Sequence, residues 1–154
     1  MLKPLWQKDA RWRNKFIGNT RLTIGKYGCL ITALAILTWQ RPDELNAKLT
    51  RNNCYNRKGE LDCAQAAKTL SMSYEYTNIP PEIDCIFETN YYRAYGFPQH
   101  FAVWLFGPKK CILNPLTGKL QQNTYPIVSY RVFRSLHRQA ELVLVGAGVE
   151  DEQV

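Results

Sequence analysis

The reactive side chains of this 154-residue chain are five cysteines and two histidines. A thiol attacks carbonyls poorly until it ionises, so a nucleophilic cysteine needs a base beside it. Cys29 has a setting suited to that task. It follows the segment TIGKYG and precedes a charge-free run of ten residues, LITALAILTW. A thiol there would open a helix buried on every side. The N–H groups of the first helical turn have no partner within the helix, so they can lower the thiol pKa and hold an oxyanion. The expectation is a depressed pKa. A buried cysteine opening a core helix is the plainer alternative.

His100 precedes the apolar segment FAVWLF, and a base at the mouth of a strand is well fixed. His137 lies in RSLHRQ between Arg134 and Arg138, where positive neighbours oppose its protonation. Asn114 ends KCILN, which follows HFAVWLF across the turn GPKK. If the two segments pair as a hairpin, strand entry and strand exit lie side by side, and Asn114 falls next to His100. Its carbonyl oxygen could accept the imidazole N–H and fix the tautomer, while Pro115 keeps Asn114 extended. Asn-Pro is also a common turn starter.

The pattern Q-x-D-x-x-W, then T-I-G-x-Y-G-C-L-x-T-A-x-A, H-F-x-V and N-P-x-T-G is carried by Gln7, Asp9 and Trp12, Thr23 to Ala35, His100 to Val103, and Asn114 to Gly118. It resembles the papain-like cysteine peptidases of the bacteriocin-processing, double-glycine-leader type, and more closely their stand-alone relatives from bacteria and phages. The resemblance spans about residues 5 to 135. It implies Cys29 as nucleophile, His100 as general base, Asn114 as orienter and Gln7 as an oxyanion donor beside the Cys29 N–H. Aspartate is usual at the third position in these relatives. Asparagine there removes a negative charge that would stabilise the imidazolium.

The elements that must hold these residues read as helices first and strands second. A buried helix is expected over 29–39. A second helix starts at Arg41-Pro42-Asp43-Glu44, with proline at its first position and acids at the positive end of its dipole. A third, alanine-rich helix is expected over 61–70. Strands are expected over 74–77, 100–106, 110–114, 129–136 (with a helix as the alternative there) and 141–145. The segments 52–60 and 79–99 read as loops. The expected class is α+β: a papain-like arrangement in which an N-terminal helical part, with its buried helix starting at Cys29, packs on a C-terminal antiparallel sheet. One domain over 1–146 and a loose acidic tail over 147–154 are expected.

Apolar residues make up 45% of the chain, enough for a packed core. No apolar run is long enough to span a bilayer, and MLKPLWQKDARWRNK has charges where a signal peptide has its apolar stretch. The expectation is a cytoplasmic protein at synthesis, released by lysis or specialised export if it acts elsewhere. The odd number of cysteines and the lack of C-x-x-C spacing point to reduced thiols without a metal or other cofactor. The charge of +7 is lopsided. Residues 1–60 hold twelve Lys or Arg against four Asp or Glu, and residues 61–154 hold eight against nine. The scattered cations fit a solvated face, with contact to an anionic polymer as the alternative; nucleic acid is not the expected partner.

The leading expectation is a thiol hydrolase that cuts a peptide or amide bond. A variant takes the peptide stems of peptidoglycan as substrate. A third reading is a catalytically silent binding module on the same fold, which would use residues 3–26 to hold its partner.

Overall fold

The computed structural model describes residues 1–89 and 99–136. His137, the strand expected over 141–145 and the tail expected over 147–154 lie outside the described residues, as does part of the loop expected before Gln99. The described chain is α+β. Its helices are α1 (Ile24–Tyr27), α2 (Cys29–Thr38), α3 (Pro42–Arg51) and α4 (Cys63–Thr69). Its strands are β1 (Met72–Thr77), β2 (Cys85–Thr89), β3 (His100–Trp104), β4 (Cys111–Asn114), β5 (Lys119–Gln122) and β6 (Ser129–Ser135). They form one antiparallel sheet in the order β1-β6-β2-β3-β4-β5.

Helix α2 forms because its sequence is uniformly apolar and lies against β3. Ala33, Leu34, Ala35 and Ile36 are almost wholly hidden. Burying a leucine or isoleucine of this kind contributes about 1.5–3 kcal/mol. Helix α3 starts where proline and two acids favour a start, and it buries Leu45 and Leu49. Asp62 caps α4 by accepting the Gln65 N–H at 3.0 Å.

Three elements depart from the sequence reading. The segment before Cys29 is not a simple turn, since Ile24–Tyr27 winds one helical turn. Within the loop expected over 79–99, Cys85–Thr89 is an inner strand of the sheet, with every residue buried. A strand hidden on both faces shows no alternation of apolar and polar positions. The short polar strand Lys119–Gln122 forms one edge of the sheet.

The two sheet faces carry different clusters. Ile86, Phe101, Val103, Leu113 and Phe133 pack with the helices. Cys85, Phe87, Ala102, Ile112, Tyr130 and Val132 form a second cluster, joined by Trp104 and Tyr125. Side chains alternate along a strand, so His100 belongs to the face of Ala102 and Phe101 to the helix face.

Among the described residues no helix is long and apolar enough to cross a membrane, and no group of three or more His, Cys, Asp or Glu could hold a metal ion.

Candidate active site

Gly28 sets the position of Cys29. Its N–H closes α1 on the Ile24 carbonyl at 2.8 Å, and its own carbonyl accepts the Thr32 N–H at 2.9 Å, the first bond of α2. A Cβ on Gly28 would lie 2.4 Å from the Ile24 oxygen, so only glycine allows the two helices to meet there. Cys29 therefore occupies the first position of α2, half-buried, and faces a pocket of about 380 Å³.

Burial dominates the electrostatics of the thiol. It pushes the Cys29 pKa up to about 11, against the opposing pull of the Phe101, Leu30 and Cys29 N–H groups on the sulfur. The expected depression at the helix terminus is thus overturned, because the cost of desolvating a thiolate exceeds what those donors return. The Phe101 contact brings Cys29 to the residue immediately after His100.

His100 and Asn114 meet as the hairpin required. Val103 pairs with Leu113 and Trp104 with Ile112. Extending that register sets Asn114 opposite Ala102, diagonal to His100 on the same face. The His100 Nε2 to Asn114 Oδ1 distance is 2.9 Å. With oxygen as acceptor, the proton sits on Nε2 and the neutral ring presents Nδ1 as its basic nitrogen. Asn114 is held firmly. Its Oδ1 also accepts the Leu116 N–H at 3.0 Å, and its Nδ2 donates to the Tyr125 hydroxyl at 3.3 Å and to Gln121 Oε1 at 3.5 Å. Asn114 thus starts a turn and holds the histidine as well.

His100 is fully buried, and the Tyr125 ring meets it edge-on at 6.3 Å. Burial drives its pKa down to about 4, only partly opposed by the bond to Asn114. Cys29, Gln7 and Phe101 line the pocket, whereas His100 is not part of its lining.

Gln7 is buried and shares the pocket with Cys29. Its Nε2 donates to the Gly25 carbonyl at 3.2 Å, and its Oε1 has no hydrogen-bond partner among the described residues. The second Nε2 hydrogen is not used in that bond. The segment around Gln7 is fixed from the far end of the chain: the Gln7 N–H donates to the Pro115 carbonyl at 3.0 Å, and Trp6 Nε1 donates to the Leu116 carbonyl at 3.2 Å. Gly118 permits this docking. Its φ is +67°, and a Cβ there would lie 2.6 Å from the Trp6 Cβ.

The approach to His100 is secured by residues that the sequence did not single out. Gln99 Nε2 donates to Glu88 Oε2 at 3.1 Å, and Arg131 pairs with Glu88 Oε1 at 2.9 Å. The Arg131 guanidinium stacks on Phe101, 4.7 Å from the ring centre. These partners come from separate strands, and no local motif announces them. A position rich in hydrogen-bonding side chains within an apolar strand, such as Glu88 in CIFET, was the available signal.

Compared with known proteins, the chain matches no protein-family model, no curated protein and no solved structure.

Proposed function

We propose that this protein is a papain-like thiol hydrolase that cleaves a peptide or amide bond. The observation that carries the reading is the His100–Asn114 hydrogen bond at the start of the strand whose next residue, Phe101, lines the Cys29 pocket. A buried asparagine that fixes a buried imidazole is costly to keep unless the ring's orientation is used.

In this reading His100 Nδ1 takes the thiol proton as Cys29 sulfur attacks the carbonyl carbon. The oxyanion is held by the Cys29 N–H and the second Nε2 hydrogen of Gln7. The tetrahedral species collapses with loss of the amine, which carries away the proton from His100 and leaves a thioester. Water then attacks the thioester, giving its proton to His100, and the acid is released as the thiol is restored. The mechanism requires Nδ1 to meet the sulfur at the start of β3.

The test is a peptide-library digest analysed by mass spectrometry, with the Cys29→Ser and His100→Ala variants in parallel. Cleavage by the wild type and loss of cleavage in both variants is expected. Equal turnover by Cys29→Ser would sink the proposal. Release of muropeptides from purified sacculi would identify peptidoglycan stems as the substrate.

A further inference from the structure

Beside the Cys29 pocket lies a second groove, of about 590 Å³, whose lining includes Trp6, Lys8, Arg13, Lys26, Leu116 and Thr117. Lys26 and Leu116 line both hollows, so the two adjoin. The groove has three cations in its lining and no Asp or Glu.

Ion pairing among the described residues engages four other cations. Arg11, Arg41, Arg131 and Arg134 each pair with a carboxylate. Lys8, Arg13 and Lys26 form no ion pair among the described residues. Their backbone supports are firm. The Arg13 N–H donates to the Asp9 carbonyl at 2.8 Å, and its carbonyl accepts the Gly25 N–H at 2.9 Å. That bond ties Arg13 to the residue whose carbonyl receives Gln7 Nε2. Trp6 forms an aromatic wall, 45% exposed and anchored through its ring N–H. Fixed walls with unpaired cationic ends suit an anionic ligand.

We infer that this groove recognises an acidic stretch of the peptide substrate and leads the adjoining bond to Cys29, an inference that rests on the hydrolase reading. A peptide fits better than a phosphate polymer. Polymer binding draws on long stripes of cations that displace many counterions. Here three cations line one short groove beside the thiol pocket.

The experiment uses the Cys29→Ala protein, which lacks the thiol and so separates binding from turnover. Two fluorescent peptides are compared that differ only in Glu against Gln at four consecutive positions, with a single-stranded oligonucleotide as a third probe. The Glu peptide should bind about tenfold tighter at low salt, the order expected of a few solvent-exposed ion pairs, and the preference should shrink as salt is raised. The combined Lys8→Gln, Arg13→Gln and Lys26→Gln variant, checked for folding by circular dichroism, should lose the preference and keep its affinity for the Gln peptide. Equal binding of the two peptides overturns the inference, as does a preference that survives the triple variant, or tighter binding of the oligonucleotide. Wild-type cleavage separates the two claims. Turnover of both peptides with the same kcat/KM keeps the hydrolase and removes the groove. A Glu preference in binding, with no turnover of any peptide, removes the hydrolase and leaves an anion-binding groove without its proposed role.

Discussion

His100 Nε2 lies 2.9 Å from Asn114 Oδ1, and both side chains are buried. The bond joins the first residue of β3 to the last of β4, so the fit of one hairpin sets the orientation of the ring.

Replacing that acceptor should separate stability from proton affinity. Asn114→Ala leaves the buried Nε2 donor unpaired and is expected to cost about 1–3 kcal/mol of stability. Asn114→Asp supplies a charged acceptor, which favours the imidazolium and should raise the His100 pKa from about 4 by roughly one to two units. Nuclear magnetic resonance titration of the ring reads the shift. An unchanged pKa in Asn114→Asp would show that the bond is not made in solution.

The depressed histidine makes stability depend on pH over a defined window. Its ordinary value is 6.5 and its folded value about 4, so between these limits the unfolded chain binds the extra proton. Stability should therefore fall as pH drops from 6.5 towards 4, by about 3 kcal/mol from this group, and level off for it below 4. Urea denaturation at a series of pH values measures the slope. His100→Gln should flatten it. Asp9, held down to about 2 chiefly by hydrogen bonds from Arg11, acts only below its ordinary 3.8, so the two windows do not overlap.

The pH profile of Cys29 alkylation should report the burial of the thiol. Burial sets the thiol pKa at about 11, so thiolate is scarce at neutral pH. Reaction with iodoacetamide should be slow near neutrality and rise steadily towards pH 11. His100→Ala should slow the reaction near neutrality, where the imidazole would assist loss of the thiol proton, and leave the alkaline rise. A rise centred near pH 9 in the wild type would mean that the thiol is not buried.

Gly28→Ala should disturb the site without touching a reactive group. The new methyl would press on the Ile24 oxygen, and backbone there cannot give way cheaply. A loss of about 1–3 kcal/mol in thermal or urea unfolding is expected, with slower alkylation of Cys29. Unchanged unfolding would mean that α1 and α2 do not meet as described.

Parts of this architecture were legible because one local cause dominated. The charge-free run after Cys29 could only be a buried element, and Pro42 marks the start of α3. The spacing of His100 and Asn114 was informative because a short turn fixes a hairpin's register. Cys85–Thr89 was not legible, since burial on both faces erases the period that marks a strand. Tyr125, Glu88 and Arg131 become partners of the site only through sheet order, which no short segment encodes. The thiol pKa was misjudged for a related reason: a helix terminus is visible in sequence, but the depth at which it is buried is not.

The docking of Trp6 and Gln7 on the turn after Asn114 also bears on how the molecule comes into being. Trp6 and its acceptor Leu116 are 110 residues apart. Synthesis proceeds from the N-terminus, so Gln7 emerges from the ribosome long before Pro115 exists. The nascent chain can wind α2 and present Cys29 early, yet the Gln7 side of the pocket stays unassembled until the β4–β5 turn has emerged. Whatever chemistry the pocket performs is thereby withheld from unfinished chains.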